Sequence, residues 1–294
     1  MNQKPPTPTE VPVTPKPVTR QAPLTPKPVG GVVAASAPQG KFPFPTIATN
    51  AATRRFTAFI YGFSGSGKTY LARTVLDDPA LFPALVCICD RGDLTLKDVI
   101  DNEKLVVANT RAIADFNPIF EYLKGRNNVF KTVIIDNLSE LHRSGLIDQA
   151  KRSSQNKDAR TGHEFTQQDY GIVRNQILSV VSNFALELNI NVIFTALASQ
   201  NTDQVTGITS IEPNLSGKLA FEVPGYCDVV GYLFEKTPTL RDQKEGRTES
   251  VRMLQVTQST NVQAARNRGG KLGKEVVNPT LPKIFTMMVR DNNG

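Results

Sequence analysis

Gly62, Gly67, Lys68 and Thr69 stand at fixed spacing within Thr57 to Tyr70, TAFIYGFSGSGKTY. Glycine tolerates positive φ and lets a backbone approach a ligand closely, so a turn holding Gly62, Gly65 and Gly67 can wrap its N–H groups around an anion. Lys68 adds a point charge suited to the β- and γ-phosphates of ATP, and the Thr69 hydroxyl can ligate Mg²⁺. Ser64, Ser66 and Tyr70 fill out the same candidate cradle. In KTVIIDNLSEL, Asp136 follows the apolar run Thr132 to Ile135, 68 residues beyond Lys68. A carboxylate there can hold the same ion and its waters. Lys68 and Asp136 are therefore candidate catalytic residues, and Thr69 and Asp136 candidate metal ligands.

These groups need particular elements to position them. The run Thr57 to Gly62 reads as a strand, the glycines as a loop, and the residues after Gly67 as a helix whose unpaired N–H groups face the anion. Strand, loop and helix are the context that the P-loop pattern G-x-x-x-x-G-K-T requires. Pro79 and Pro83 end that segment, and ALVCICD (Ala84 to Asp90) reads as a second buried strand ending in acid. Lys104 to Asn109 is a third apolar stretch, followed by an amphipathic helix from Ala112 to Lys124 that Gly125 and Asn127–Asn128 close. Ser139 to Lys151 reads as a helix, as does Thr166 to Leu188, with Ile172, Ile177, Val180, Val181, Phe184 and Leu188 on one broad face. Ile190 to Ala198 is another buried strand, and Ser199 to Asn214 a polar loop. The end alternates strands and turns: VRMLQVT (Val251 to Thr257), AARNRGGKL, then an apolar piece around Leu281 to Val289. This rhythm predicts an α/β fold with a mainly parallel central sheet flanked by helices, and ligands at the carboxyl ends of the strands. Gly62, Asp90, Asp136 and Thr195 are expected at those ends.

A chain of 294 residues with 39% hydrophobic content can bury one large core, assigned to residues 53–294. Residues 1–52 are Pro/Thr/Val/Lys-rich, with VTPKPV at Val13–Val18 echoed as LTPKPV at Leu24–Val29. They read as a disordered arm, serving either as a tether for a partner or nucleic acid, or as a solvated tail. The arm carries Lys4, Lys16, Arg20, Lys27 and Lys41 against Glu10, which is four of the seven net positive charges. A balance of +7 suits a polyanionic partner. Cys87, Cys89 and Cys227 do not make a disulfide framework, and His142 and His163 lack zinc spacing. Without a membrane-length apolar run or a signal peptide, the expectation is a cytoplasmic protein with no membrane partner.

The order of these parts resembles the RecA-type P-loop NTPase core, with TVIIDNLSELHR similar to its Walker B segment. LSGKLAFEVPGYCDVVGYLF with RNRGGKL is similar to a group of phage-encoded RecA-core ATPases that act as single-strand annealing or recombination factors. The resemblance spans Phe56 to Met288. It implies an ATPase using ATP and Mg²⁺, acting on single-stranded DNA in phage recombination, annealing or replication. It also implies a homo-oligomer, ring or filament, with a single-strand-binding protein or another partner for the arm. Relatives tend to show D-x-E or D-x-D after the second strand, whereas this chain has CDRGD. Asp90 matches the first acid, Gly92 takes the second acid's place, and Asp93 is one residue late. Hydrolysis would use Asp90 or Asp93 with shifted geometry, or be slow, with Glu140 a weaker candidate. Thr195 or Gln200 would sense the γ-phosphate, although Leu197 stands where a polar side chain is expected. Arg266 and Arg268 would reach a neighbour's ATP, or else are surface charges. The loop holding Lys151, Arg152, Lys157 and Arg160, and the loop Ser199–Asn214, would face DNA, or else are merely solvated. A helicase or packaging motor and a non-hydrolysing nucleotide-switched adaptor remain alternatives, the adaptor because of the missing second acid.

Overall fold

A computed structural model describes residues 55–90, 92–99, 103–155, 165–238 and 249–289. The arm predicted for 1–52 lies outside the described residues, as do Lys157, Arg160, His163 and the Asp93 side chain.

The central strand is β1 (Thr57–Gly62), with every residue buried, as a β-branched and aromatic run covered on both faces should be. Around it lie β2 (Ala84–Ile88), β3 (Leu105–Asn109), β4 (Thr132–Asp136), β5 (Asn191–Thr202) and β7 (Val229–Lys236). These six are joined by parallel pairings in the order β7-β1-β5-β4-β2-β3. An antiparallel margin is added by β8 (Val251–Gln255), which pairs β7, and β10 (Glu275–Val277), which pairs β8. The two-residue β9 (Arg266–Asn267) pairs β7, and β6 (Thr209–Pro213) pairs β5. The sheet is thus mostly parallel, as the alternation of strands and helices predicted.

The period-2 geometry of a strand sends alternate side chains of β1 to opposite layers. Phe59 and Tyr61 join the layer formed with α2 (Phe116–Lys124), α3 (Leu138–Gln155), α4 (Gln167–Glu187) and α5 (Leu219–Gly225). There Phe184 packs against Phe116 and Phe120 with ring centroids 5.9 and 5.7 Å apart. Ala58 and Ile60 face the other layer, with α1 (Lys68–Arg73) and α6 (Leu281–Val289). Each fully buried large apolar side chain of this kind contributes about 1.5–3 kcal/mol of transfer free energy.

Three expectations need correction. The apolar piece Leu281–Val289 is a helix, because Leu281, Ile284, Phe285 and Val289 recur at helical spacing and are buried on the sheet, while Pro282 sits in the first turn where no N–H is needed. The polar stretch 199–214 is largely a hairpin: β5 runs on to Thr202 and pairs β6 from Ala198↔Pro213 to Thr202↔Thr209. Thr195 therefore lies inside its strand rather than at its end. The helix expected from Ala112 begins only at Phe116, after a 3-10 turn at Ile113–Asp115, where Asp115 accepts the N–H groups of Arg111 and Ala112. By contrast α4 starts where the sequence places it, at a reciprocal cap: Thr166 Oγ1 accepts from Asp169 N, and Asp169 Oδ2 accepts from Thr166 N.

Candidate functional site

The loop after β1 is shaped by close contact. A Cβ on Gly62 would lie 2.4 Å from the carbonyl oxygen of Leu233 in β7 and 2.5 Å from Ser66 Oγ. Gly65 and Gly67 take φ of +79° and +94°, the left-handed region that glycine enters without strain. Among the described residues, Ser66 N, bound to Phe63 O at 3.1 Å, is the one amide from Ser64 to Thr69 with a backbone acceptor. Ser66 Oγ is buried and has no hydrogen-bond partner. A loop with unpaired donors at the head of a helix matches what a phosphate chain satisfies.

Lys68 opens α1 and is 7% exposed. Its Nζ donates to Gly62 O at 2.8 Å and Phe63 O at 2.9 Å. Burial lowers its pKa, and the carboxylates of Asp136 and Asp90 oppose that shift. A cation in this setting gains from an incoming anion. Asp136, at the end of β4, is 2% exposed. Its Oδ2 accepts the Thr69 hydroxyl at 2.7 Å, and its Oδ1 accepts the hydroxyl of Thr195 from β5. A hard-oxygen pair of hydroxyl and carboxylate beside a phosphate loop fits Mg²⁺, which takes one or two protein oxygens together with substrate phosphates.

Asp90 lies two residues beyond β2, and its Oδ2 accepts from Asn137 Nδ2 at 2.9 Å. Asn137 also caps α3, its Oδ1 accepting from Glu140 N at 3.0 Å. Ser139 Oγ accepts from Leu197 N at 2.9 Å, tying the same helix start to β5. Glu140 pairs with Arg143 at 3.4 Å and is absent from the cavity wall. That cavity, about 390 Å³, is bounded by the loop together with Lys68, Thr69, Tyr70, Asp90, Asp136 and Arg252, with Leu197 on its wall.

The other candidates lie elsewhere. Gln200 is exposed on the β5–β6 hairpin, paired in register with Ile211. Arg266 Nη1 donates to the carbonyls of Pro224, Gly225 and Cys227, closing the end of α5. Arg268 pairs with Asp228 at 3.1 Å, and Asp228 Oδ2 accepts from Thr57 N. Arg268 therefore sits at the entry end of β1, and Arg266, whose register partner Val230 pairs Phe59, lies partway along it, short of the loop. Lys151 and Arg152 are exposed near the end of α3; Lys151 lies 3.9 Å from Asp148, and Arg152 borders a separate cavity of about 250 Å³. Among the described residues the three cysteines are free and buried, and no helix is long and apolar enough to cross a membrane.

Sequence reasoning missed Arg252. Its guanidinium lies over the Tyr70 ring, Cζ 4.5 Å from the centroid, and against Gly67, where an added Cβ would meet Nε at 2.9 Å. One signal could have found it: in VRMLQ, Arg252 shares parity with the core residue Leu254, so an exposed charge lies on the same side of the strand as a buried leucine.

The sequence profile of the AAA domain family matches residues 54–269. Comparison with curated proteins gives no match. Among solved structures, the RadB recombinase is similar at 13% identity with a TM-score of 0.42, covering 76% of this chain and 86% of that one. A prototypical ATPase from the type III secretion system of pathogenic bacteria is similar at 19% identity with a TM-score of 0.39, covering 65% of this chain and 54% of that one.

Proposed function

Because the chain belongs to the AAA domain family, a P-loop ATPase fold, we propose that it binds and hydrolyses Mg-ATP as a RecA-core ATPase acting on single-stranded DNA, of the phage recombination or annealing kind. The observation that carries the nucleotide part is the Thr69–Asp136 contact beside buried Lys68 and a loop of unpaired amides. Thr69 and Asp136 would hold Mg²⁺, which supplies charge neutralisation at the phosphates. Lys68 shares that task, and the loop amides orient the phosphate chain. Asp90, held by Asn137, is the carboxylate best placed to orient an attacking water. Thr195 links β5 to Asp136 and so joins the site to the hairpin that continues from the same strand.

Arg266 and Arg268 lie short of their own loop and would serve a neighbouring subunit in a ring or filament, so that turnover rises with assembly. Lys151, Arg152, Lys157 and Arg160 would contact DNA phosphates, giving salt-dependent and largely sequence-independent affinity. Residues 53–294 form the ATPase unit in this reading, and the arm 1–52 carries a partner such as a single-strand-binding protein.

The test is ATP hydrolysis with and without single-stranded DNA, comparing wild type with Lys68→Ala and Asp90→Ala. Activity that DNA stimulates and both substitutions abolish is expected. Wild type that binds ATP yet never hydrolyses it would instead favour a nucleotide-switched adaptor, the reading that Gly92 in place of an acid supports.

A further inference from the structure

Arg252 is an exposed cation at the edge of a phosphate loop, set opposite Glu235 in the β7–β8 register. Among the described residues its guanidinium has no acceptor and no carboxylate partner, whereas Arg73, Arg143, Arg174 and Arg268 each pair with an acid. Its Cζ lies 4.5 Å from the Tyr70 ring centroid, and a cation–π contact of this kind consumes none of the five N–H donors of the fork. Tyr70 itself is 50% exposed, so the pair forms an outer wall of the cavity rather than part of the core.

The sheet order says which part of a nucleotide this wall meets. From β1, the carboxylate strands β4 and β2 lie on one side, beyond β5, while β8 with Arg252 lies on the other, beyond β7. Asp136 and Asp90 thus mark the end of the cavity where the γ-phosphate and attacking water belong. Arg252, against Gly67 and Tyr70, marks the opposite end.

We propose that Arg252 is a phosphate-binding residue of its own subunit, gripping the α- and β-phosphates of the bound nucleotide with Tyr70 as its platform. This rests on the nucleotide reading above and adds a residue to it. A guanidinium at that end binds ADP and ATP alike, so it contributes equally to ground and transition states. Its loss raises KM and leaves kcat unchanged.

The experiment is calorimetric titration of the full chain with ADP and with a non-hydrolysable ATP analogue, alongside steady-state ATPase kinetics. Arg252→Ala is expected to weaken both ligands to the same degree, by about tenfold to a hundredfold for a charge-assisted pair, with KM raised and kcat held. Arg252→Lys recovers part of the affinity, and Tyr70→Ala weakens both ligands. If Arg252→Ala proves poorly folded by circular dichroism, Arg252→Gln and Tyr70→Ala carry the same comparison. Loss confined to the ATP analogue, a fall in kcat alone, or unchanged affinity would overturn the proposal while wild type still binds nucleotide. A wild type that binds neither ligand would remove the nucleotide reading itself.

Discussion

The Thr69 hydroxyl donates to Asp136 Oδ2 across 2.7 Å, joining the first turn of α1 to the end of β4. One strand separates β1, which leads into α1, from β4 in hydrogen-bonding order, since β1 reaches β4 only through β5. The contact makes one oxygen-rich corner out of segments 67 residues apart.

If that corner holds a magnesium ion, Asp136→Asn should lower kcat by about a hundredfold or more, since an acid that fixes the ion supports several kcal/mol of charge stabilisation. Chelation by EDTA should silence wild type and leave the variant's residual rate nearly unchanged. An Asp136→Asn protein with wild-type, EDTA-sensitive turnover would rule out the assignment.

Gly62→Ala should destabilise the protein by about 1–3 kcal/mol, because the added methyl meets a backbone carbonyl of β7 that cannot rotate away. Gly171→Ala should do the reverse: this exposed position in α4 has open space around it, and alanine gains about 0.5–1 kcal/mol over glycine inside a helix. Urea unfolding of the two variants checks both signs together.

Asn137→Ala removes both the donor that holds Asp90 and the cap of α3. The lost cap should cost about 1 kcal/mol in unfolding experiments. If Asp90 orients the attacking water, kcat should also fall while nucleotide affinity is kept, and equal kcat would contradict that role.

His142 is 4% exposed, its Nε2 has no partner, and burial lowers its pKa from the usual 6.5. The unfolded chain therefore binds this proton at higher pH than the folded one. The neutral ring's stability is fully present above pH 6.5 and is lost as pH falls below it, by up to about 1.4 kcal/mol per pH unit until the folded group also protonates. Unfolding free energies measured from pH 7.5 down to 5 should show this loss in wild type and a smaller one in His142→Leu.

Much of the fold is local in origin and could be read directly. The continuous apolar run of β1, its break into glycines, the Thr166–Asp169 cap of α4 and the alternation of strands with helices depend on residues close in the chain, so spacing alone reveals them. Elements whose form depends on what they pack against were misread. Leu281–Val289 is apolar enough for strand or helix, and the sheet beneath it, with Leu281 N donating to Thr74 Oγ1, decides for helix. Polar residues 199–214 read as a loop because a hairpin that leaves the core needs no apolar face, only backbone pairing.

The same division runs through the site. Gly62, Lys68, Thr69 and Asp136 belong to short motifs whose chemistry is written in residue type and spacing, and the sequence alone determined that a phosphate loop and an acid-ended strand exist. Only the tertiary structure decided that Asp136 meets Thr69 and Thr195, that Asn137 holds Asp90, and that Arg252, 184 residues beyond Lys68, lies over Tyr70. The physical reason is that strand order is set by how whole helices and strands bury their faces, a property of the assembled sheet that no single stretch of residues carries.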